Sequence, residues 1–517
     1  MLKRRLLVAQ GPQQLLLGMA CLRQRAEQAG ENYEVDDTLI LGDFMATGAA
    51  AGIDATCRVI SKQHPFSYIC STHDLDGQFY EGTIQLADYM AGVLRLLGCR
   101  SFDEVITCRN MQSLNEVVLH AFPQAHKVTI GDGIGIIDNN SIRFAWPILP
   151  VGYLPIDEIQ TLLPVEAEPG AFCGLPIGHL KPSFYVNAVH RAAEELEVAT
   201  TLCRFDPTIC ESPTTLLLMA NLTESGHAAS IEDELNYFTE SALPYLEKGS
   251  RVWVKGHPRH CHGQPALLTQ RLRCLGFNSF SDPGIDTLPS ECIATVIPVS
   301  RLLAFHSSTC ITWRLLKPET PIVIGAPQAI AERYLRTPDA FRTGVSARYI
   351  QTAMVSLGRF DPISRQAIRD IQEHVSGWVV EMPPASRAGD FGCADLVQKI
   401  TSESLREFAD TATRPPSDRH AREKISKDER AILAVLALDC CAGERARLLE
   451  QVKPAISAAD QKYNQLNASR EKMGQRLEKV SHELQQIQDT WSWRCLRWLF
   501  KIEHSIRRRA MRSNNQR

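Results

Sequence analysis

RLLVAQGPQQLLLGMACLRQRAEQAGENYEVDDTLILG, residues 5–42, is the stretch that decides the fold. Its opening apolar run, Leu6-Leu7-Val8-Ala9, is too short for a helix and stops at Gly11-Pro12. Residues 13–29 then repeat apolar side chains at helical spacing, and residues 38–42 form a second short apolar run. A strand, a helix and a strand in that order make a crossover unit, and crossovers of this kind build parallel sheets covered by helices on both faces. Strands buried on both faces read as continuous apolar runs, as these two do.

The same alternation continues outward. Residues 67–71, 104–108 and 127–131 read as further strands. In residues 84–97, Ile84, Ala87, Ala91, Leu94 and Leu97 share one helical face. A second series follows at 215–220 (strand), 231–246 (helix), 251–255 (strand), 266–275 (helix), 302–305 and 321–324 (strands). Residues 143–207, rich in Pro and Gly, separate the two series and resist parsing. The expectation is an α/β chain with two Rossmann-like domains facing a cleft, residues 1–207 and 208–400. Ligands of such sheets sit at the carboxyl ends of the strands.

Beyond residue 400 the pattern changes. Pro415-Pro416 and a scarcity of apolar residues mark 401–428 as a linker. Within residues 429–492, Ala459, Tyr463, Leu466, Arg470, Met473, Leu477, Val480, Leu484, Ile487 and Trp491 step by alternating fours and threes. That is a coiled-coil seam, interrupted once by Arg470; a helix packed on its own protein shows the same stripe. A coiled coil would allow a homodimer. Residues 493–517 carry eight Arg or Lys against the single acid Glu503, with Trp493, Leu496, Trp498, Leu499, Phe500 and Ile502 as an apolar side. A basic helix with tryptophans suits an anionic membrane surface, and a solubilising tail is the plainer reading.

Composition narrows the class. The chain has 517 residues, about three domains' worth by length, with 44% hydrophobic and 22% charged residues and a formal net charge of −3. This balance gives no reason to expect nucleic acid as a partner. Sixteen cysteines are scattered without a Cys-x-x-Cys. Cys70, Cys108 and Cys310 lie in apolar runs, as reduced, buried thiols would. Lys3-Arg4-Arg5 precedes an apolar run too short for a secretory signal, and no run reaches the roughly 18 apolar residues that span a bilayer. The expected location is cytoplasmic, peripheral at the inner face of the cytoplasmic membrane through the basic tail.

Three segments follow predicted strands. Gly131-Asp132-Gly133 places a carboxylate between glycines at a strand's end, where it can take a proton from an acceptor hydroxyl or merely close a turn. Its Gly-x-Gly-x-Gly spacing is not a dinucleotide fingerprint. In Lys255-Gly256-His257-Pro258-Arg259-His260, Pro258 ends the strand and fixes His257, while Lys255, His257 and Arg259 make a cationic cluster suited to a phosphate leaving group. His257, His260 and His262 have no carboxylate at ligand spacing, so no metal is expected; they also fit plain surface histidines. In His306-Ser307-Ser308-Thr309, hydroxyls at a helix start can cap the helix or bind phosphate.

With these motifs in this order, the chain resembles the bacterial sialyltransferase and polysialyltransferase family. That family is marked by an acidic-acidic-Gly motif, a His-Pro motif and a downstream Ser pair. Asp132-Gly133, His257-Pro258 and Ser307-Ser308 match them, while Gly131 stands where the family has its first acid. The resemblance covers roughly residues 1–400 and implies the paired-Rossmann (GT-B) fold. It further implies an inverting glycosyltransferase moving a sialic or related nonulosonic acid from a CMP-activated donor to a glycan acceptor, with the CMP-sugar as substrate and no cofactor. Asp132 would be the base, His257 would stabilise or protonate the departing phosphate, and Lys255, Pro258, Ser307 and Ser308 would line the donor site. The Ser492-Trp493-Arg494 run also resembles an element found after coiled coils in bacterial surface-glycan transferases, which implies surface or capsule polysaccharide synthesis. The competing readings are another sugar-nucleotide enzyme, such as a transferase for a different donor or a UDP-sugar epimerase, and a non-catalytic coiled-coil scaffold.

Overall fold

The computed structural model describes residues 2–30, 34–42, 50–98, 100–108, 113–131, 156–162, 177–205, 207–258, 260, 263–338, 352, 355, 378–382 and 384. The chain divides into two units, Met1–Lys453 and Pro454–Arg517. The expected linker, coiled coil and basic tail lie outside the described residues.

The first unit contains two sheets. Strands β1 (Leu2–Ala9), β2 (Glu34–Leu41), β3 (Tyr68–Ser71), β4 (Glu104–Cys108), β5 (His126–Gly131), β6 (Glu158–Thr161) and β7 (Ile177–His179) pair in the order β3-β2-β1-β4-β5-β6-β7, every pair parallel. Strands β8 (Thr214–Leu218), β9 (Arg251–Lys255), β10 (Asn278–Phe280), β11 (Val299–Leu303), β12 (Ile322–Gly325) and β13 (Val379–Met382) pair in the order β10-β9-β8-β11-β12-β13. These are parallel except for β13, which runs antiparallel to β12. Each sheet reverses direction about its first strand, β1 or β8, which is the Rossmann-like doubly wound arrangement. The two-sheet α/β fold expected from the alternation is the fold observed.

The strand interiors explain the packing. In β8, Leu216 and Leu218 face one apolar cluster and Leu217 faces another, since successive side chains point to opposite faces. The helix Pro12–Ala29 starts with Pro at its first turn, where the missing N–H costs nothing. It lies close on β1 because Gly18 has no side chain; a Cβ there would come within 2.4 Å of Leu7.

The stretch that resisted parsing supplies the joint between the sheets. Its helix Pro182–Glu195 buries Tyr185, Ala188, Val189, Ala192 and Ala193, a stripe at helical spacing. That helix packs against Pro12–Ala29 and Ala50–Ser61 of the first sheet's helices and against Ser290–Ala294 and Thr309–Leu316 of the second's. One apolar core therefore runs from Ile106 and Val128 through Tyr185 to Leu216 and Leu302. The short strands β6, β7, β10 and β13 also escaped sequence reading. The helix expected over residues 231–246 is α-helical over Ile231–Ala242 and tightens to a 3-10 turn at Leu243–Tyr245, where Pro244 lacks the N–H an α-helix needs.

Of the nine described cysteines, Cys21, Cys57, Cys70, Cys108, Cys292 and Cys310 are buried. Burial pushes the thiol of Cys21 up to about 12 and that of Cys70 to about 11, so neither is a reactive thiolate at neutral pH. No helix of the described residues is long and apolar enough to cross a membrane.

A buried ion pair sits inside the N-terminal core. Arg5 and Asp37, each 2% exposed, pair in a fork: Nε donates to Oδ1 at 2.6 Å and Nη2 to Oδ2 at 2.7 Å. Arg5 also donates to the Leu22 carbonyl, and His64 Nε2 lies 2.6 Å from Asp37 Oδ2. Burial pushes the Asp37 carboxyl up, but the hydrogen bonds from His64 and Arg5 outweigh it and hold the group below its ordinary value. A carboxyl depressed in the folded state contributes stability that is present above its unfolded value and is lost as pH falls through the folded one. Two outcomes follow in chemical denaturation. Arg5→Met, which leaves the Asp37 charge buried with one partner fewer, is expected to lower stability by about 3–5 kcal/mol at pH 7. Asp37→Asn is expected to flatten the acid-side decline in stability; an unchanged decline means that other carboxyls set it.

Candidate functional site

At the carboxyl edge of the C-terminal sheet, β9 and β11 flank β8. The loop after β9 carries His257 and Pro258, and the turn after β11 carries His306, Ser307 and Ser308. About fifty residues of sequence separate these motifs, yet the strand order brings them to one edge, at the point where the sheet reverses. On the N-terminal sheet, β5 ends at Gly131, so the strand expected before Asp132 is present. Asp132 itself, with Arg259 and His262, lies outside the described residues.

The His-Pro loop is held from several directions. Gly256 N–H donates to Asp286 Oδ1 at 2.7 Å. A Cβ on Gly256 would come within 2.4 Å of Pro265 and 2.6 Å of Asp286, so only glycine lets the loop seat there. Burial pushes the Asp286 carboxyl up, opposed by the nearby Lys255 amine and the Gly256 N–H. Lys255 was expected to face the donor phosphate. Its amine instead is buried beneath the loop, donating to the Asp286 carbonyl at 2.9 Å and the Gly256 carbonyl at 3.3 Å. Burial lowers its pKa, with Asp286 and Glu291 opposing. In this position it braces the loop from below.

His257 and Pro258 are half-buried. His257 N–H donates to His260 Nδ1 at 3.0 Å, and His260 N–H donates to the His257 carbonyl at 3.0 Å, closing a tight turn. Pro258 confines His257 to extended backbone from the other side. His260 Nε2 lies 3.1 Å from Glu234 Oε1 and 3.3 Å from the Ala220 carbonyl. Glu234 is fully buried on the helix Ile231–Ala242, and its Oε2 accepts the Thr223 N–H at 2.7 Å.

Glu224 also approaches, and the ligand atoms of Glu224, Glu234 and His260 lie within 4.8 Å of one another. Sequence spacing had shown no carboxylates beside these histidines, because both come from the segment following β8. Each of the three side chains also makes hydrogen bonds within the protein. Glu224 Oε1 accepts from Gln264 Nε2 at 2.5 Å, and the His260 nitrogen that faces Glu234 also faces a carbonyl. With no ion between them, a nitrogen facing two acceptors carries the proton, whereas a metal would take its bare lone pair.

The Ser turn is simpler. Ser307 is half-buried and its Oγ accepts the Thr309 N–H at 3.2 Å; Ser308 is exposed at the N-cap position of the helix Thr309–Leu316 with no side-chain capping bond. Ser307 steadies the turn by accepting and keeps its O–H as a donor, while Ser308 is exposed. His306 is buried, its ring stacked on Tyr237 at 5.2 Å and its Nε2 bonded to the Tyr237 hydroxyl. Beneath this turn Glu291 is buried; burial pushes its carboxyl up, and the Thr312 hydroxyl, donating at 2.7 Å, opposes the rise.

Sequence reading missed Glu234, Asp286 and Tyr237. Ser230 followed by Asp233 marks a helix start, and the Ser230 hydroxyl does accept the Asp233 N–H at 3.1 Å. Nothing local distinguishes Glu234 from its solvated neighbours Glu232 and Asp233.

No family model and no curated protein matches the chain. Among solved structures, a UDP-GlcNAc 2-epimerase from Methanocaldococcus jannaschii is similar at 9% identity and a TM-score of 0.38, covering 79% of this chain and 99% of that one. A UDP-N-acetylglucosamine 2-epimerase from Rickettsia bellii is similar at 13% identity and 0.37, covering 79% and 97%. The E. coli ADP-heptose lps heptosyltransferase II is similar at 10% identity and 0.33, covering 63% and 84%. Scores this low assign no activity.

The loop geometry gives one direct test. Gly256→Ala forces backbone or Asp286 to move, and overpacking of this kind costs about 1–3 kcal/mol. The denaturation midpoint of the variant is expected to fall accordingly; an unchanged midpoint means the loop seats less tightly than described.

Proposed function

We propose that the chain is an inverting glycosyltransferase that moves a sialic or related nonulosonic acid from a CMP-activated donor to a glycan acceptor. The observation that carries this reading is the meeting of His257-Pro258 and Ser307-Ser308 at one edge of the C-terminal sheet, in a chain whose Asp132-Gly133 follows a strand of the other sheet. The ordered motif set resembles that of the sialyltransferases, and a sheet's switch point is where such folds hold nucleotides.

In the proposed reaction Asp132 takes the proton from the acceptor hydroxyl as its oxygen bonds to the anomeric carbon. The bond from that carbon to the CMP phosphate breaks, and the electron pair leaves with the phosphate. His257 hydrogen-bonds the departing phosphate or protonates it. The exposed Ser308 hydroxyl and the start of the helix Thr309–Leu316 receive its oxygens. Ser307 holds the turn through its Oγ, which accepts a backbone N–H, and its O–H can donate to the same phosphate. With the Lys255 amine engaged below the loop, neutralisation of the phosphate falls to His257 and the helix start.

A competing donor class is separated by nucleotide. Gly131 in place of the family's first acid favours keeping it in view. Thermal shift with CMP, CDP and UDP is expected to show stabilisation by CMP; stabilisation by UDP and not CMP rejects the sialyl donor. Incubation with CMP-sialic acid and candidate acceptors is expected to release CMP. Asp132→Ala and His257→Ala are each expected to cut transfer by about 10²–10⁴-fold with the melting temperature preserved. Near-wild-type transfer by either purified variant refutes the role given to that residue.

The basic tail at residues 493–517 would hold the enzyme at an anionic membrane surface. Sedimentation with phosphatidylserine vesicles is expected at low salt, weakening as salt rises, and is expected to be absent from a chain ending at residue 492. Equal binding by both chains removes the tail from that role.

A further inference from the structure

We propose that Glu234 and His260 are positioning residues that set the backbone of His257 through a fixed imidazole tautomer. This deepens the reading of His257 as a site residue and rests on it. The tautomer follows from two independent sides of the ring. Nδ1 faces a donor, the His257 N–H at 3.0 Å, so it must offer a lone pair. Nε2 faces two acceptors, Glu234 Oε1 at 3.1 Å and the Ala220 carbonyl at 3.3 Å, so it must carry the proton. Only the neutral Nε2–H form satisfies both. The opposite tautomer sets two donors against each other at His257 and two lone pairs against each other at Glu234, and an imidazolium loses the His257 contact.

The carboxylate is the member that cannot be exchanged for an isostere. Glu234 accepts on both oxygens, from Thr223 N–H at 2.7 Å and from His260. A glutamine has one acceptor and one donor. If its oxygen stays on Thr223, its NH₂ meets Nε2 and drives the ring proton to Nδ1, against the His257 N–H. If it flips, the NH₂ meets the Thr223 N–H. Glu234 and His260 have side chains at most 3% exposed, so water does not readily repair the mismatch.

The consequence reaches His257 because its backbone has few other freedoms. Pro258 restricts it on the carboxyl side, Gly256 is pinned to Asp286 on the amino side, and the bond to His260 fixes the amide between them. This arrangement sets the direction of the His257 Cα–Cβ bond, and the half-buried ring lies 6.2 Å from that of His260.

The test uses nitrogen-15 NMR of the full-length chain labelled at histidine, with the His260 signals assigned by their loss in His260→Asn. The wild-type ring is expected as neutral Nε2–H at neutral pH. In Glu234→Gln the Nδ1–H form is expected to appear or to dominate. A ring found as Nδ1–H or as imidazolium in the wild type, or unchanged in Glu234→Gln, overturns the proposal. Zinc that shifts the His260 signals at one equivalent in the wild type and not in Glu234→Gln marks a metal site instead, and likewise overturns it.

The second arm is kinetic, with CMP-sialic acid as donor. Glu234→Gln and His260→Ala are expected to lower kcat by about 10–100-fold with KM for the donor nearly unchanged, the size seen when partners that orient a functional histidine are lost. His260→Asn, whose side-chain oxygen can still accept the His257 N–H, is expected to recover most of that loss. Equal loss in His260→Asn and His260→Ala, with both variants folded by thermal melt, overturns the positioning role. A wild type that transfers from no donor counts against the proposed function alone, because the NMR arm reads the tautomer without turnover.

Discussion

A parallel strand covered by helices on both faces meets water only at its ends, and this constraint organises the whole described structure. β4 and β8 are buried along their whole length, and β1 and β11 over their carboxyl-terminal parts, Arg5–Ala9 and Leu302–Leu303. Chemistry on such a sheet is confined to the loops beyond the last paired residue. In the C-terminal sheet the pairing order sets β9 and β11 on either side of β8, and with them the His-Pro loop and the Ser turn. Neither motif needs the other nearby in sequence; the sheet supplies the proximity.

Positions at strand ends are useful only if the loops are held, and buried polar groups do the holding. Asp286 accepts the Gly256 N–H, Lys255 reaches the Asp286 carbonyl, and Glu234 grips His260, which returns to the His257 amide. Each of these groups is largely withdrawn from water, where an unmatched donor or acceptor is costly. A loop tied in this way has one low-energy seating. The N-terminal sheet uses the same device for stability in its Arg5–Asp37–His64 network, far from any strand's carboxyl end.

The helix Pro182–Glu195 shows where sequence reading stops. Its apolar stripe of Tyr185, Ala188, Val189, Ala192 and Ala193 has helical spacing, yet three of the five are alanines, which mark no partner. Small residues let helices from both sheets approach closely, and that is how this helix joins them. The same limit applies to Lys255. Its place in a basic run suggested a phosphate contact, but burial and two carbonyls claim the amine. Charge in a sequence is read as outward-facing by default, and only packing reveals the inward case.

The sequence by itself determined the alternation of buried strands and amphipathic helices, hence two Rossmann-like sheets, because apolar periodicity is a local property of the chain. β4 and β9 matched the expected runs residue for residue. It also located His257-Pro258 and Ser307-Ser308 just past strands, since proline and helix-capping hydroxyls are local signals. Only the tertiary structure decided which strands are neighbours, which way Lys255 points, and that Glu234 meets His260. Those facts depend on side chains tens of residues apart competing for the same buried donors and acceptors, and no local pattern encodes that competition.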